Sequence, residues 1–193
     1  MGKEWFLFLY FYRMENEILF SEKQKFNQWW LWVILLAING VTFLGVYNQL
    51  ITGQPFGDKP MSNTGLLITA ASIFVISILV LNMRLDTLIK KDGIYVKFFP
   101  FHWSFKKFSW EQISLCYIRK YSAITEYGGW GIRLGLFGKG KAWNVSGDKG
   151  LQLEFTNKKK LLIGTNQPEA LAATLEKIGQ LKQSLKEGTA VKA

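Results

Sequence analysis

The sequence predicts a membrane α-hairpin of two transmembrane helices followed by an α+β, mainly-β domain, a small antiparallel barrel of about seven strands capped by a C-terminal helix. Three observations predict this fold: two uncharged apolar stretches, short alternating segments behind them, and one amphipathic stripe near the end. Residues 29–47 form an apolar stretch of 19 residues, and residues 66–81 form a second of 16 residues. A bilayer core requires about 20 apolar residues in a helix, whose backbone satisfies its own hydrogen bonds.

The same patterns divide the chain into four regions. Residues 1–28 are expected to form an N-terminal cytoplasmic segment, 29–83 the transmembrane hairpin, 84–187 the cytoplasmic domain and 188–193 a flexible tail. Met14 begins a second plausible start, so the first 13 residues are either an upstream translation artefact, which is the favoured interpretation, or a short interfacial anchor.

The first apolar stretch begins with three tryptophans, Trp29, Trp30 and Trp32. Indole rings favour the boundary between headgroups and hydrocarbon, so these residues predict an aromatic belt. Asn39 is the strongly polar side chain deep in this stretch. Small and hydroxyl residues in the second stretch favour close helix packing, so we expect Asn39 to form an interhelical hydrogen bond facing Ser72. A role in permeation or signalling is the less favoured interpretation.

Charge is distributed unevenly along the chain. The first 83 residues hold five basic and five acidic side chains, whereas residues 84–193 hold 19 basic and nine acidic ones, which is the whole net charge of +10. Basic residues near helix ends mark the cytoplasmic side of short loops. The distribution predicts a multi-pass protein of the cell (inner) membrane with both termini in the cytoplasm.

Behind the apolar stretches, short runs alternate between apolar and polar residues. Lys91-Asp92-Gly93 is typical of a hairpin turn. The predicted strands cover residues 84–90, 94–99, 107–113, 114–121, 151–155 and 160–163, with one or two more in 129–145. A helix is expected from Pro168, since proline suits the first helical position. Its apolar stripe comprises Leu171, Leu175, Ile178, Leu181 and Leu185.

Four strings carry a resemblance: residues 20–32, 127–133 (YGGWGIR), 141–155 and 161–171. With the two apolar stretches, they resemble bacterial membrane proteins that have a pleckstrin-homology-like (PH-like) domain. The resemblance covers about residues 14–180, and GGWGIR and IGT-x-x-P are its specific part. It implies two membrane helices and a cytoplasmic PH-like domain, and little about activity.

Two candidate contact sites follow from the residues. In YGGWGIR, Trp130 and Arg133 are candidates to stack on or clamp a ligand; the favoured alternative is a bulged strand in which Trp130 fills the core. The second candidate is a set of lysines in predicted turns, which attract anionic headgroups or are simply solvated. These are Lys90, Lys91, Lys106, Lys107, Lys158, Lys159 and Lys160.

Residue types exclude several functions. One cysteine and one histidine predict no disulfide, no metal site and no cofactor, and no nucleophile motif indicates an enzyme. Nucleic-acid binding is not expected, because the basic charge comes without a recognisable motif. We therefore expect a membrane-anchored binding or scaffold module that acts by protein–protein interaction or self-assembly. Anionic-lipid recognition through the basic loops is the alternative.

Overall fold

The computed structural model describes residues 17–26, 28–135 and 138–181. It divides into two compact units, one helical (Phe26–Met83) and one that combines the described parts of Met1–Lys25 and Arg84–Ala193. The predicted N-terminal extension and C-terminal tail lie outside the described residues.

The helical unit contains α1 (Trp29–Val46), which continues into a π-helical turn (Tyr47–Ile51), and α2 (Asn63–Leu81). The Ser62 hydroxyl caps α2 by accepting a hydrogen bond from the Gly65 amide at 3.2 Å. Both helices are long and apolar enough to cross a membrane, as predicted. Only 6% of the most apolar 18-residue segment of the first helix and 11% of that of the second is buried. The core helix of a soluble protein would be mostly buried.

Asn39 does join the two helices, but its partner differs from the predicted one. Its side-chain amide donates hydrogen bonds to the Ser77 hydroxyl at 2.8 Å and to the Leu35 carbonyl at 2.7 Å. Ser72 is exposed and donates to the Ile68 carbonyl of its own helix at 2.8 Å. The expected pairing with Ser72 is wrong, because five residues rotate a helix by about 140°, so Ser72 and Ser77 occupy different faces.

The first sheet of the β unit has four antiparallel strands, which are β1 (Ile18–Lys25), β2 (Arg84–Lys90), β3 (Gly93–Phe99) and β4 (Lys106–Ser109), in that order. β1 precedes the helical hairpin in the chain and β2 follows it, yet Lys25 lies directly opposite Arg84. The segment before the hairpin is therefore part of the same sheet as the domain that follows it.

The second sheet has five strands in the order β5-β8-β9-β7-β6. Their bounds are β5 (Ile113–Lys120), β6 (Gly131–Leu134), β7 (Lys141–Asn144), β8 (Lys149–Phe155) and β9 (Lys160–Gly164). Both sheets are open, and β7 pairs with β9 in parallel. The prediction of an entirely antiparallel arrangement is wrong for that pair. The described residues hold nine strands, of which eight follow the two long helices, where about seven were predicted.

Two helices complete the β unit: α3 (Ala123–Tyr127) between β5 and β6, and α4 (Pro168–Lys177) after β9. Leu171 and Leu175 of α4 are buried, as the stripe predicts. The helix is shorter than expected because Gly179, with φ of 66°, ends it. Ile178 and Leu181 follow the helix, and Leu185 lies outside the described residues.

Buried polar side chains of β1 reach the second sheet. Gln24, 2% exposed, donates from its amide to the Gly164 carbonyl at 2.7 Å. Glu22, 3% exposed, accepts hydrogen bonds from the Thr165 hydroxyl and the Asn166 amide, which lie between β9 and α4. β1 thus connects the two sheets as well as extending the first one.

Candidate functional site

A cleft of about 760 Å³ opens in the β unit beside β4 of the first sheet and β6, β7 and β9 of the second. Its apolar lining comprises Phe108, Leu134, Trp143, Phe155 and Leu161. The Phe108 ring lies 6.0 Å from the Trp143 ring and 5.4 Å from the Phe155 ring, measured between centroids. The floor of the cleft is therefore a packed aromatic surface, and its volume is in the usual range of ligand sites.

Among the described residues, no aspartate or glutamate lines this cleft, whereas five lysines do: Lys106, Lys141, Lys158, Lys159 and Lys160. The Lys106 ammonium lies 5.4 Å from the centroid of the Trp143 ring. Lys160 forms an ion pair with Glu154 at 2.9 Å. Within the part of the chain that the structure describes, Lys141, Lys158 and Lys159 have no acidic partner. The cleft therefore carries an excess of positive charge.

The lysines of the β8–β9 connection are held by a tight turn. The Phe155 amide donates to the Lys159 carbonyl, the Lys158 amide to the Phe155 carbonyl, both at 2.9 Å. The Asn157 side chain accepts from the Lys159 amide at 3.1 Å, and Lys158 has a left-handed backbone with φ of 63°. Opposite this turn, a side chain at Gly140 would clash with the Lys160 carbonyl, so glycine keeps the backbone close here.

Two sheet edges lie at the cleft. β4 ends the first sheet and β6 ends the second, and within the described residues neither has a strand on its outer side. Lys106 and Phe108 of β4 line the cleft, as does Leu134 of β6. An edge strand presents unpaired backbone amides and carbonyls. The cleft therefore offers charge, an apolar floor and main-chain hydrogen-bonding groups together.

The other predicted lysines lie away from this cleft. Lys107 alternates with Lys106 along β4 and forms an ion pair with Asp92 at 2.6 Å. The Tyr95 hydroxyl donates to the same carboxylate at 2.6 Å. Burial alone would raise the pKa of Asp92, but the hydrogen bonds from Lys107 and Tyr95 outweigh it and lower the pKa. The Lys107 side chain is therefore bound to the β2–β3 turn through Asp92.

The remaining two candidates of this turn also have defined neighbours. Lys91 pairs with Glu17 at 3.2 Å. The Lys90 ammonium lies 4.9 Å from the centroid of the Tyr95 ring. The structure thus divides the predicted lysines into a cleft group, Lys106 and Lys158 to Lys160, and a turn group, Lys90, Lys91 and Lys107.

Trp130 and Arg133 lie in neither group. Trp130 is half-buried and packs against a buried cluster formed by Tyr121, Ala123, Tyr127, Ala142 and Leu162. Arg133 is exposed, and its guanidinium donates to the Trp130 carbonyl at 2.9 Å. The glycines on either side of Trp130 have φ of 126° and 110°, which favour glycine, and the second donates its amide to the Asn144 side chain at 2.9 Å. YGGWGIR is therefore the segment that connects the end of α3 to β6, and these contacts hold it in place.

Lys141 is the cleft residue that sequence reasoning missed. It belongs to a Gly-Lys-Gly-Lys string with no clear strand pattern, and only its pairing in β7 brings it beside β9. His102 lies near the cleft, with its ring centroid 4.7 Å from that of Trp143, and burial and the nearby Lys106 lower its pKa. Among the described residues, no group of three or more His, Cys, Asp or Glu side chains is arranged to hold a metal ion.

Comparison with known proteins identifies a family for this chain. A family profile described as "Family of unknown function (DUF6141)" matches residues 11–130. The matched region includes β1, both long helices and the whole first sheet, whereas Lys141 and Lys158 to Lys160 of the cleft lie beyond it. A search of curated proteins finds no match.

Proposed function

This chain belongs to the DUF6141 family, and we propose that it is a bacterial inner-membrane protein whose PH-like cytoplasmic domain binds an acidic segment of a protein partner. The two long helices cross the membrane, both termini lie in the cytoplasm, and the basic cleft is the binding site. The partner is another protein or a second copy of the chain. The alternative ligand is an anionic lipid headgroup.

Strand pairing supports the two-span topology. Lys25 precedes α1, Arg84 follows α2, and the two residues lie opposite each other in one sheet. Paired strands cannot lie on opposite sides of a bilayer, because neighbouring strands are about 5 Å apart whereas the hydrocarbon core is about 30 Å thick. An even number of crossings satisfies this constraint, and two apolar helices supply it. The basic flanks favour a cytoplasmic location for the sheet.

Element order supports the PH-like assignment. A four-stranded antiparallel sheet is followed by a second sheet and then by a helix at the C-terminal end. The amphipathic helix α4 buries Leu171 and Leu175 against the β unit, as a capping helix would. The parallel β7–β9 pair and the open sheets are departures from a simple closed barrel.

The observation that carries the binding proposal is the cleft itself, with five lysines, no acidic lining residue and an aromatic floor. A segment with alternating carboxylates and apolar side chains complements this surface. The free edges of β4 and β6 favour a peptide over a lipid, because an extended peptide can add as a strand and use main-chain hydrogen bonds. A headgroup would engage the lysines, at about 1 kcal/mol each near a charged surface, and leave the strand edges unused.

Cross-linking and pull-down from native membranes test this proposal. We expect the variant Lys141→Glu/Lys159→Glu to lose partners that the unchanged chain captures. The matched control Lys120→Glu/Lys177→Glu makes the same change in net charge at exposed lysines outside the cleft, and should retain them. Equal capture by both variants would rule out the cleft as the binding site.

A second arm separates the two ligand classes. The full-length chain in vesicles of phosphatidylcholine is compared with the same chain in phosphatidylglycerol vesicles. Protection of Lys141 and Lys159 from amine labelling only in the anionic vesicles would favour the lipid alternative. Protection that appears only when the captured partner is added supports the protein ligand.

Topology has its own measurement. A reporter fused after Ala193 should behave as cytoplasmic. A cysteine replacing Gly57, in the loop between α1 and α2, should react with an impermeant thiol reagent added outside intact cells. Cys116 is buried and gives little background. A reporter that behaves as periplasmic would overturn the orientation.

A further inference from the structure

We propose that the loop of residues 100–105, between β3 and β4, is a second contact with the membrane, in which Phe101, Trp103 and Phe105 insert into the lipid headgroup region. The inference rests on the proposed two-span topology. It concerns a different surface from the basic cleft and a different partner, the lipid interface.

The loop exposes large apolar side chains. Trp103 is 85% exposed, Phe101 is 60% exposed and Phe105 is 38% exposed. Three exposed aromatic rings within five residues are the kind of apolar surface that marks an interaction site. Tryptophan favours the membrane–water boundary, where its apolar ring and polar edge are both accommodated, and phenylalanine rings add apolar surface that can be buried there.

Register places this loop at one end of the first sheet. Lys25 pairs with Arg84, and Arg84 pairs with Phe99, so the end of β1, the start of β2 and the end of β3 lie in one row. The loop begins one residue after Phe99. The β2–β3 turn lies at the opposite end, about 20 Å away along strands of seven residues.

Chain connectivity relates this end of the sheet to the membrane. Residues 26–28 alone separate β1 from α1, and residues 82–83 alone separate α2 from β2. An extended chain spans at most about 3.5 Å per residue, so each connection covers roughly 10–14 Å. The row that contains Lys25, Arg84 and Phe99 is therefore within short reach of the headgroup layer.

Contacts inside the loop hold the rings outward. The His102 amide donates to the Phe98 carbonyl at 2.8 Å, and the Phe98 amide donates to His102 Nδ1 at 3.3 Å. The His102 ring packs on Trp143 with the centroids 4.7 Å apart, and the Trp103 ring, which is 85% exposed, lies edge-to-face with the Phe99 ring at 5.9 Å between centroids. His102 thus points inward and its neighbours outward, which is the arrangement of a preformed anchor.

Basic groups adjoin the loop. The Lys97 ammonium lies 4.9 Å from the Phe105 ring centroid, and the Arg84 guanidinium lies 5.7 Å from that of Phe99. Asp86 contacts both cations, at 3.7 Å and 3.2 Å, so this group carries a net charge of about +1. Insertion of the rings would bring these cations toward lipid phosphates.

Nitroxide accessibility of the full-length chain tests the inference. Single cysteines replace Trp103, Lys91 or Leu36 in a Cys116→Ala background, and the labelled proteins are placed in phosphatidylcholine–phosphatidylglycerol vesicles. We expect the ratio of collisions with oxygen to collisions with a water-soluble nickel complex to be several-fold higher at residue 103 than at residue 91. A ratio at residue 103 equal to that at 91, with a lipid-like ratio at residue 36, overturns the loop anchor alone. A water-like ratio at residue 36 overturns the two-span topology instead.

A second comparison shows whether the rings drive insertion. A label at Ser104 is measured with the natural loop, with Phe101→Ser/Trp103→Ser, and with Ile124→Ser, which removes an exposed apolar side chain elsewhere. The double change should make the label at residue 104 water-like, and Ile124→Ser should leave it unchanged. An unchanged label in the double variant would overturn the proposal.

Discussion

The carboxylate of Glu22 accepts a hydrogen bond from the Thr165 hydroxyl at 2.6 Å, although 143 residues separate the two in the chain. The same carboxylate accepts the Asn166 amide at 2.7 Å. Glu22 lies in the strand before the helical hairpin, and Thr165 follows the last strand after it. This contact therefore joins the two ends of the described β unit.

Glu22→Ala should destabilise the protein by about 2 kcal/mol, because it leaves the buried Thr165 hydroxyl without its acceptor, at about 1–3 kcal/mol, and also removes the acceptor of the more exposed Asn166 amide. Thermal or denaturant unfolding of the detergent-solubilised chain measures this loss. Lys23→Ala changes an exposed neighbour on the same strand and should alter stability by less than about 0.5 kcal/mol. Equal effects of the two substitutions would contradict the assigned role of Glu22.

A chain in which Asn-Gly replaces residues 26–83 should fold as a soluble β domain. Lys25 and Arg84 are already opposite each other, and a two-residue Asn-Gly turn suits such a pair. A chain that starts at Arg84 lacks β1, leaves the edge of β2 exposed, and should aggregate or melt earlier. Melting of the two soluble fractions decides the point; an equally stable shorter chain would show that β1 is dispensable.

Cysteines at residues 39 and 77 should form a disulfide within one chain when Cys116 is replaced, since Asn39 and Ser77 are hydrogen-bonded across the helices. The matched pair at residues 39 and 72 should not, because Ser72 faces away from α1. Oxidation in membranes followed by gel mobility after proteolysis between the helices gives the readout. Preferential bonding of the 39–72 pair would refute this helix packing.

Glu126 should make the stability depend on acid pH. Burial alone would raise the pKa of its carboxyl, but hydrogen bonds from Arg119, the Ser122 amide and Lys139 outweigh burial and lower the pKa to about 2. Because this value lies below the ordinary 4.5, the carboxylate contributes stability at neutral pH that is lost as pH falls from about 4.5 toward 2.

Unfolding midpoints at pH 7 and pH 3 test this dependence. The natural chain should be more stable than Glu126→Gln at pH 7, and the difference should shrink at pH 3. Glu176→Gln, at an exposed position of α4, should show no such change. A difference that is constant with pH would count against the charged network around Glu126.

Trp130→Ala should lower stability by about 2 kcal/mol. Truncating a fully buried tryptophan costs about 3–5 kcal/mol, and Trp130 is half-buried against its cluster. Arg133→Ala, at an exposed neighbour, serves as the control and should stay within about 0.5 kcal/mol. An unchanged melting temperature for Trp130→Ala, together with loss of partner capture, would instead make YGGWGIR a binding site.

Strand β1 shows where the sequence pattern misleads. Its buried positions are Phe20, Glu22 and Gln24, so two of the three inward-facing side chains are polar. Because the inward-facing and outward-facing residues are both mostly polar, the sequence lacks the apolar–polar alternation that predicts a strand. The segment therefore resembles a polar stretch that precedes a helix. These polar side chains can be buried because they are hydrogen-bonded: Gln24 donates to the Gly164 carbonyl, and Glu22 accepts from Thr165 and Asn166.

The candidate site divides in the same way. Lys158, Lys159 and Lys160 adjoin one another in sequence, and a basic turn could be predicted from them alone. Lys106 comes from the other sheet, and Lys141 joins through a parallel pairing with β9. No local pattern encodes that meeting, because it depends on how the two sheets are arranged relative to each other.

By itself the sequence determined the two long apolar helices, the excess of basic charge behind them, the Asp-Gly turn and the start of the last helix. Each depends on neighbours within a few residues, through hydropathy, backbone freedom or capping. Only the tertiary structure decided that β1 joins β2 across the hairpin, that Asn39 meets Ser77, and that five lysines surround one aromatic cleft. Those arrangements arise from contacts between distant segments, whose free energies are set by packing and by the pairing of buried polar groups.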